Sequence, residues 1–441
     1  MKRASVTALS AALSLSLLAA GCGNNDNNNT GTNTGTATGG NTGAAAGKEV
    51  TIKIFQFKVE IAEALKKMQA EYEASHPGVK LQIETVGGGA DYGAALKAKF
   101  ASGDQPDIFN NGGFQEMNTW MDRLEDLSDQ PWVANVLPVA KEPMTKNGKL
   151  YGMPMNVEGY GFLYNKDLFA KAGITELPKT LSQLQAAAEK LKAAGITPFS
   201  NGYQEWWILG IHNVNVAMAR QSDPAKYIEG LYAGTEKIPG NAVFNDWVKL
   251  LDTTIKYSSK NPLTTDYNTQ VTQFAKGEAA MMQQGNWTQV QISGINKDIK
   301  IGVLPMPINE DPAANDKLFV GVPNNWVINK DSKVKAEAKE FLNWMATSDI
   351  GKRYMTKEFK FIPAFTNVTA DPADVGEIAV AIMDYNKAGK VLGWHWPRLP
   401  EGTTQLFGAN LQAYIAGKMN AQQLLEALQK SFDQQKAGVA K

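Results

Sequence analysis

Five of the ten tryptophans fall in predicted loops or beside predicted strand ends, where a side chain is free to face a ligand. They are Trp206, Trp207, Trp287, Trp394 and Trp396. Aromatic patches left exposed on a fold mark binding surfaces, although partial packing into a core is the alternative for any one of these residues. An indole ring packs on the C–H groups of a sugar face, while sugar hydroxyls need carboxylate and amide partners. Tryptophan together with Glu and Asn therefore favours a neutral, polyhydroxylated ligand.

Other chemistries lack the residues they need. The three histidines (His76, His212, His395) lie far apart and there is one cysteine, so neither a Cys/His metal centre nor an intrachain disulfide is expected. No P-loop, GxGxxG, HExxH or GxSxG motif occurs, and Gly87-Gly88-Gly89 has no lysine for phosphate. Lys plus Arg and Asp plus Glu number 44 each, a balance that argues against a nucleic-acid-binding protein. We expect no metal, no cofactor and no nucleic acid.

The elements that must position these residues alternate between strand and helix. Alternating apolar residues predict a strand over 50–57, and helical spacing then predicts a helix that His76-Pro77-Gly78 ends. A second strand over 79–83 completes a βαβ unit, and Thr180 to Gln183 form a capping box that begins a later helix. Continued alternation predicts an α/β fold with ligands bound beyond the carboxyl ends of the strands. Trp120 and Trp344 lie at apolar positions of helices and are expected in the core.

The N-terminus carries the pattern of an export signal. Lys2 and Arg3 precede a mostly apolar run over 8–20, which is shorter than the ~20 apolar residues needed to span a bilayer. The run ends Leu18-Ala19-Ala20-Gly21-Cys22, which resembles a bacterial lipobox, with Ala19 where Leu is commonest. We interpret residues 1–21 as a signal peptide and Cys22 as a lipidation site, the alternative being an ordinary secretory signal. Residues 23–47 contain only Gly, Asn, Asp, Thr and Ala, so 22–47 are expected to form a lipidated, disordered tether.

Six short motifs follow one another along the rest of the chain. They are Ser102-Gly-Asp-Gln-Pro-Asp107-Ile, Tyr151-Gly-Met-Pro154, Gly161-Phe-Leu-Tyr-Asn-Lys-Asp-Leu168, Pro178-Lys-Thr180, Phe274-Ala-Lys-Gly-Glu-Ala-Ala-Met281 and Gly285-Asn-Trp287. In this order and spacing the chain resembles the extracellular solute-binding lipoproteins of carbohydrate ABC transporters, in the maltose-binding-like group of bacterial extracellular solute-binding protein family 1. The resemblance implies an α/β, two-lobed periplasmic-binding-protein-like fold with a hinge and a ligand cleft between the lobes. It implies a first lobe of residues 48–157 and 323–368 and a second lobe of 158–322 and 369–441.

The same resemblance implies which residues contact the sugar. Trp287 is the best-placed stacking residue, and Glu158 and Glu205 accept hydrogen bonds from sugar hydroxyls. The implied ligand-binding set is Gln56, Phe57, Lys58, Asn110, Asn111, Glu158, Tyr160, Glu205, Trp206, Trp207, Trp287, Asn324, Asn325, Trp394, Trp396 and Arg398. Asn110 and Asn111 depart from relatives that have an aromatic residue at this place.

The resulting hypothesis is a non-catalytic receptor, lipid-anchored at the extracellular face of the cell membrane. It is expected to be a monomer that binds an oligosaccharide of two or more units and delivers it to the permease subunits of an ABC importer. Two alternatives stay open at this point. One is a glycan-degrading lipoprotein, a glycoside hydrolase that would need two carboxylates ~5–9.5 Å apart. The other is a glycan-binding surface adhesin.

Overall fold

The structure, a computed structural model, describes residues 49–439 and builds them on two β-sheets. The predicted signal peptide, the Cys22 lipidation site and the whole of the predicted tether lie outside the described residues. Within residues 49–439, no helix is both long and apolar enough to cross a membrane.

The first sheet has five strands. In spatial order they are Val79–Thr85, Val50–Gln56, Ile108–Asn111, Asn325–Ile328 and Met153–Pro154. The first two run parallel and are joined by the helix Ala62–Ser75, which confirms the predicted βαβ unit. The third strand is parallel to the second, and the fourth, which returns from much later in the chain, is antiparallel to the third. Three carboxyl ends and the start of the returning strand therefore meet at one edge of the sheet.

The helices of this part of the chain flank the sheet. They are Ala62–Ser75, Tyr92–Ser102, Phe114–Trp120, Pro138–Lys141, Lys335–Thr347 and Asp349–Arg353, with a small hairpin of Thr145–Lys146 and Lys149–Leu150. Trp120 and Trp344 are buried in the core, as predicted.

The second sheet is centred on the strand Glu158–Asn165. In spatial order its strands are Val391–Leu392, Leu318–Gly321, Glu158–Asn165, Ala279–Gly285 and Thr197–Phe199, and Ile301–Leu304 also pairs with the central strand. Every residue of the central strand is buried, as expected where helices cover a sheet. Gly161 is required there because a Cβ would lie only 2.3 Å from the backbone oxygen of Leu304.

The helices of the second part are more numerous. They are Lys166–Lys171, Leu181–Ala193, Val214–Met218, Pro224–Ala233, Ala242–Lys256, Tyr267–Ala275, Gln289–Ile295, Pro312–Asn315, Pro372–Val375, Glu377–Lys387, Thr403–Ile415 and Ala421–Val439. The predicted capping box is present in a modified form. The Thr180 hydroxyl accepts from the Gln183 N–H, but the Gln183 side chain accepts from the N–H of Lys179 instead of that of Thr180.

The chain passes between the two sheets three times. It crosses between Pro154 and Glu158, returns between Gly321 and Asn325, and leaves again after Phe365, which still bridges to Val136 of the first part. Two helix-flanked sheets joined by these crossings confirm the predicted two-lobed α/β fold. The lobe boundaries given above stay a prediction, and we keep the names first lobe and second lobe for the two parts.

Candidate ligand-binding site

A cavity of about 340 Å³ lies where the edges of the two sheets face each other. Its first-lobe wall follows the carboxyl ends of the three parallel strands, with Phe57 and Lys58 after one, Gly87–Gly89 after the next and Asn111 at the third. This is where α/β sheets place their ligands. The volume lies near the lower end of the ~300–1,000 Å³ typical of small-molecule sites.

The second-lobe wall is mainly aromatic. Its lining side chains include Trp206, Trp207, His212, Tyr267, Trp287, Trp394 and Trp396. Among the described residues, no group of three His, Cys, Asp or Glu stands close enough together to hold a metal ion.

Gln56 and Asn110 fix the turn that carries Phe57 and Lys58. The Gln56 Oε1 accepts from the Lys58 N–H at 2.6 Å, and the Asn110 Oδ1 accepts from the Phe57 N–H at 3.0 Å. Asn110 Nδ2 in turn donates to Asn324 Oδ1 at 2.6 Å. Gln56 and Asn324 therefore stand behind the cavity wall and hold it, while Asn110 belongs to the wall itself.

Asn111 presents an unused hydrogen-bond donor at the same wall. Its Oδ1 accepts from the Gly113 N–H at 2.8 Å, and its backbone oxygen accepts from Asn325 Nδ2 at 3.1 Å. The Asn111 Nδ2 is buried and has no partner in the described part of the chain. Asn325 lies behind Asn111, off the cavity wall.

Lys58 is the centre of a buried ion-pair group that we call the Lys58 triad, formed by Lys58, Glu60 and Glu158. The Lys58 Nζ lies 2.6 Å from Glu158 Oε1 and 2.7 Å from Glu60 Oε1, and each of the three side chains is at most 9% exposed. Burial lowers the pKa of Lys58, but the two carboxylates outweigh that effect and raise the pKa above its ordinary value. Glu158, which also accepts from Asn156 Nδ2, thus stands behind Lys58 and does not line the cavity.

His212 is the centre of the aromatic wall and lies in a π-helical turn, Ile208–Asn213. Its ring centroid is 4.6 Å from that of Tyr160, 5.0 Å from Trp287 and 5.4 Å from both Trp207 and Trp396. Burial and the charge of Lys58 lower the pKa of His212 to about 3, so the ring is neutral at physiological pH. Tyr160 is fully buried behind the wall, where its hydroxyl donates to the backbone oxygen of His212 at 2.8 Å. Single π turns of this kind are frequent at functional sites.

Trp287 lies just after the strand Ala279–Gly285 and on the cavity wall. Its Nε1 donates to Gln284 Oε1 at 2.8 Å, which sets the plane of the ring, and 9% of the residue is exposed. Gly285 is required beside it, because a Cβ would stand 2.3 Å from the indole.

Trp394 and Trp396 form a stacked pair with ring centroids 4.5 Å apart and an angle of 30° between the ring planes. The buried Nε1 of Trp394 has no hydrogen-bond partner in the described residues. Arg398 turns away from the cavity towards the first lobe. Its guanidinium lies 4.0 Å from the ring centroid of Phe114 and donates to Glu142 at 2.8 Å. Arg398 therefore bridges the lobes and does not line the cavity.

Glu205 stands at a second point where the lobes meet. Its Oε1 accepts from the Tyr267 N–H at 3.0 Å, and its Oε2 lies against the backbone of Gly89 from the first lobe. Gly89 has a φ of +100°, and a Cβ added there would lie 2.7 Å from that oxygen. Only glycine allows the two lobes to approach this closely.

The structure brings nine of the sixteen predicted residues to the cavity wall. These are Phe57, Lys58, Asn110, Asn111, Trp206, Trp207, Trp287, Trp394 and Trp396. It places the other seven behind or beside the wall: Gln56, Glu158, Tyr160, Glu205, Asn324, Asn325 and Arg398. Contact of any of them with a ligand stays a prediction.

Sequence reasoning missed several lining residues. They include Glu60, Gly87, Gly88, Gly89, Tyr92, Glu116, His212, Tyr267 and Glu401. One signal was available, because Gly87–Gly89 follows a predicted strand and loops at strand carboxyl ends form ligand sites. Glu116 carries no such signal: it lies in a short helix, its Oε2 accepts from the Gly112 N–H at 2.8 Å, and burial raises its pKa to about 7.

Comparison with known proteins gives consistent matches. The family model described as bacterial extracellular solute-binding protein matches residues 58–352. The multiple sugar-binding protein of Streptococcus mutans is 26% identical over 407 residues, covering 90% of this chain and 93% of that protein. The melibiose/raffinose/stachyose-binding protein MelE of Bacillus subtilis is 24% identical over 323 residues, which cover 70% of this chain and 72% of MelE.

Solved structures share the fold. RafE in complex with raffinose superposes with a TM-score of 0.76 at 23% identity, covering 88% of this chain and 99% of that one. A chitin oligosaccharide binding protein gives a TM-score of 0.76 at 24% identity, covering 88% of this chain and 100% of the other.

Proposed function

The chain belongs to the bacterial extracellular solute-binding proteins, and from that premise we propose that it is the receptor for an oligosaccharide imported by an ABC transporter. The oligosaccharide would lie in the cavity between the lobes and pass to the permease subunits. The observation that carries this proposal is the pairing of an aromatic wall with unused polar atoms on the same cavity.

The two features suit the two surfaces of a sugar. The indoles of Trp287 and Trp396 offer flat apolar areas to the C–H face of a ring. Asn111, Tyr267 and Trp394 each line the cavity and hold a buried polar side-chain atom with no partner in the described residues. An unsatisfied buried polar group costs ~1–3 kcal/mol, so a ligand that supplies hydroxyl partners is favoured. The name of one relative, the melibiose/raffinose/stachyose-binding protein of Bacillus subtilis, makes these three sugars the first ligands to test.

We also propose that the protein is not an enzyme. A glycoside hydrolase needs two carboxylates that flank the scissile bond, ~5–9.5 Å apart. The two carboxylates that the family resemblance implied at the site are engaged elsewhere, since Glu158 is paired with Lys58 and Glu205 accepts from the Tyr267 N–H. The hydrolase alternative therefore has less support than the receptor.

The test is a thermal-shift and calorimetry series with melibiose, raffinose and stachyose, followed by chromatography of the sugar after prolonged incubation. A ligand that binds only the folded state raises stability by RT ln(1 + [L]/Kd), ~2.7 kcal/mol at a 100-fold excess over Kd. We expect a raised unfolding midpoint and unchanged sugar. Release of monosaccharides would support the hydrolase, and normal sugar uptake by cells that lack the protein would support the adhesin.

The extracellular location follows from the family, and the lipid anchor is a further proposal based on the sequence. Cys22 carries the only thiol of the chain, so Cys22→Ser should move the protein from the membrane fraction to the soluble fraction. Cell fractionation with immunodetection measures this, and an unchanged unfolding midpoint shows that the folded part is intact. A Cys22→Ser variant that remains with the membrane would contradict the lipid anchor.

Close approach of the lobes should matter for binding, and Gly89 tests this. In Gly89→Ala the new methyl group would displace the Glu205 carboxylate and disturb its hydrogen bond from the Tyr267 N–H, which is worth ~1.5–3 kcal/mol. We therefore expect affinity for the best-bound oligosaccharide to fall about tenfold. Gly78→Ala is the matched control, with a similar φ of +91° and no atom within 4 Å of its Cβ. Calorimetry that finds equal affinities in the two variants would remove the Gly89–Glu205 contact from the binding mechanism.

A further inference from the structure

One end of the cavity brings together carboxylates from opposite lobes. Glu116 stands in the helix Phe114–Trp120 of the first lobe, and Glu401 precedes the helix Thr403–Ile415 of the second. Both line the cavity. Burial raises the pKa of Glu116, and the negative charge of Glu401 adds to that effect, while the Gly112 N–H and the charge of Lys97 oppose it.

Only one of these two carboxylates forms an ion pair within the described residues. The Lys97 Nζ lies 2.6 Å from Glu401 Oε1. Glu116 instead accepts a backbone hydrogen bond from Gly112, and in the described part of the chain it has no ion pair. Glu116 is therefore a partly buried carboxylate that Lys97 influences only from beyond ion-pair distance.

The rest of the described cavity wall also has no unpaired cation that could bind an anion. Lys58 is the one lysine or arginine among the described lining residues, and it is already paired with Glu60 and Glu158. Asp91 adds a further carboxylate to the wall. A ligand bearing a negative charge would therefore meet an acidic cavity and find no unpaired cation there.

Asn111 and Glu116 together favour an uncharged or cationic group at this end of the cavity. Its buried and unused Nδ2 belongs to the residue next to Gly112, which binds Glu116. A sugar hydroxyl can accept from an amide N–H and donate to a carboxylate, whereas an ammonium group can donate to Glu116. A carboxylate or phosphate could accept from Asn111, but it would stand against Glu116 and Glu401.

We propose that Glu116 and Glu401 make this end of the cavity charge-selective, so that it accepts a sugar bearing hydroxyl or ammonium groups and rejects one bearing carboxylate, sulfate or phosphate groups. Glu116 sets the selectivity, because it is the one of the two carboxylates that forms no ion pair in the described residues. The inference rests on the proposed function and names the class of oligosaccharide the receptor takes.

Two matched series of sugars test the proposal. The first is raffinose, its C6-amino derivative and its C6-carboxylate derivative, both changed on the galactose unit. The second is cellotriose, fully deacetylated chitotriose and β-1,4-linked triglucuronate. In each series whose neutral member binds, calorimetry at a pH of about 8, above the pKa of Glu116, should show the acidic member binding at least tenfold more weakly than the neutral one. The amine should bind at least as tightly as the neutral member.

Glu116→Gln should reduce the difference in affinity between the acidic and the neutral members. It keeps an oxygen for the Gly112 N–H but removes the charge, so the acidic member should gain at least threefold in affinity relative to the neutral one. Glu340→Gln, on the exposed face of the helix Lys335–Thr347, makes the same change in net charge away from the cavity and should leave the ratio unaltered.

The outcomes separate this inference from the proposed function. Acidic members that bind wild type as tightly as neutral ones, or a ratio that Glu116→Gln leaves unchanged, would overturn the charge selectivity alone. Failure of every neutral and amine member to bind would contradict the receptor function together with the selectivity that rests on it.

Discussion

Lys58→Met should lower the free energy of unfolding by ~3–5 kcal/mol, the cost of leaving a buried charge without its partner. Lys58 is the common partner of Glu60 and Glu158 in the Lys58 triad, so its removal leaves two buried carboxylates facing each other. Urea unfolding followed by circular dichroism measures the change. Lys66→Met is the control, because the Lys66–Glu63 pair is exposed and its loss should leave the unfolding midpoint nearly unchanged.

Replacing the whole triad distinguishes charge from packing. A triple variant, Lys58→Met with Glu60→Gln and Glu158→Gln, leaves no unpaired buried charge and should recover most of the lost stability. A triple variant no more stable than Lys58→Met would show that the methylene stem of Lys58, and not its charge, supports this region.

The loss of stability in Lys58→Met should also depend on pH. Burial raises the pKa of Glu158 and Lys58 opposes that effect, so the pKa rises further when Lys58 is removed. A carboxyl whose pKa is raised in the folded state contributes stability at low pH and loses it as pH rises through that pKa. The variant should therefore approach wild-type stability as pH falls towards 5, since the folded state then binds the proton more tightly than the unfolded state.

Trp287→Ala should weaken oligosaccharide binding by a factor of ten or more. Stacking of one sugar face on the indole covers ~100 Å² of apolar area, worth roughly 2.5 kcal/mol at ~25 cal/mol per Å². The ring lies on the cavity wall and is held in plane by Gln284. Calorimetry with the best-bound oligosaccharide measures the affinity, and urea unfolding without sugar measures the stability.

Trp344→Ala is a matched control for that variant. Trp344 is also 9% exposed, but it packs in the first-lobe core against Tyr72 and Phe341. Its truncation should cost ~3–5 kcal/mol of stability and leave affinity unchanged. If Trp287→Ala behaved in the same way, with a large loss of stability and intact affinity, Trp287 would be a core residue and not a stacking residue.

Local patterns were enough to predict much of the first lobe. The strands Val50–Gln56 and Val79–Thr85 and the helix between them follow from residue periodicity and from a stop signal at His76-Pro77-Gly78. The small residues of the stretch Phe274–Met281 predict one closely packed strand, and this prediction is wrong. In the structure Phe274 and Ala275 end a helix and the strand begins at Ala279, because small residues fit both states and pairing with the distant strand Glu158–Asn165 decides.

The candidate site was predictable where a residue acts through its own chemistry and position after a strand. Trp287 is such a residue, as are Asn110 and Asn111. Glu158 was expected on the cavity wall, but its partner Lys58 lies 100 positions away, and no local pattern reveals that pairing. His212 was missed because it lies within an apolar run whose π-helical turn depends on packing.

The return of one strand to the first sheet has a consequence for the order of folding. Asn325–Ile328 pairs with Ile108–Asn111, and Asn110 bonds to Asn324 across 214 positions of sequence. A nascent chain that ends before Asn325 therefore has an unpaired strand edge, which can pair with another chain and promote aggregation. Contacts this distant in sequence also slow folding, because the intervening loop must be closed before they form. The first lobe begins near the N-terminus, yet it completes its sheet only after the second-lobe strands and helices from Glu158 to Gly321 have been synthesised.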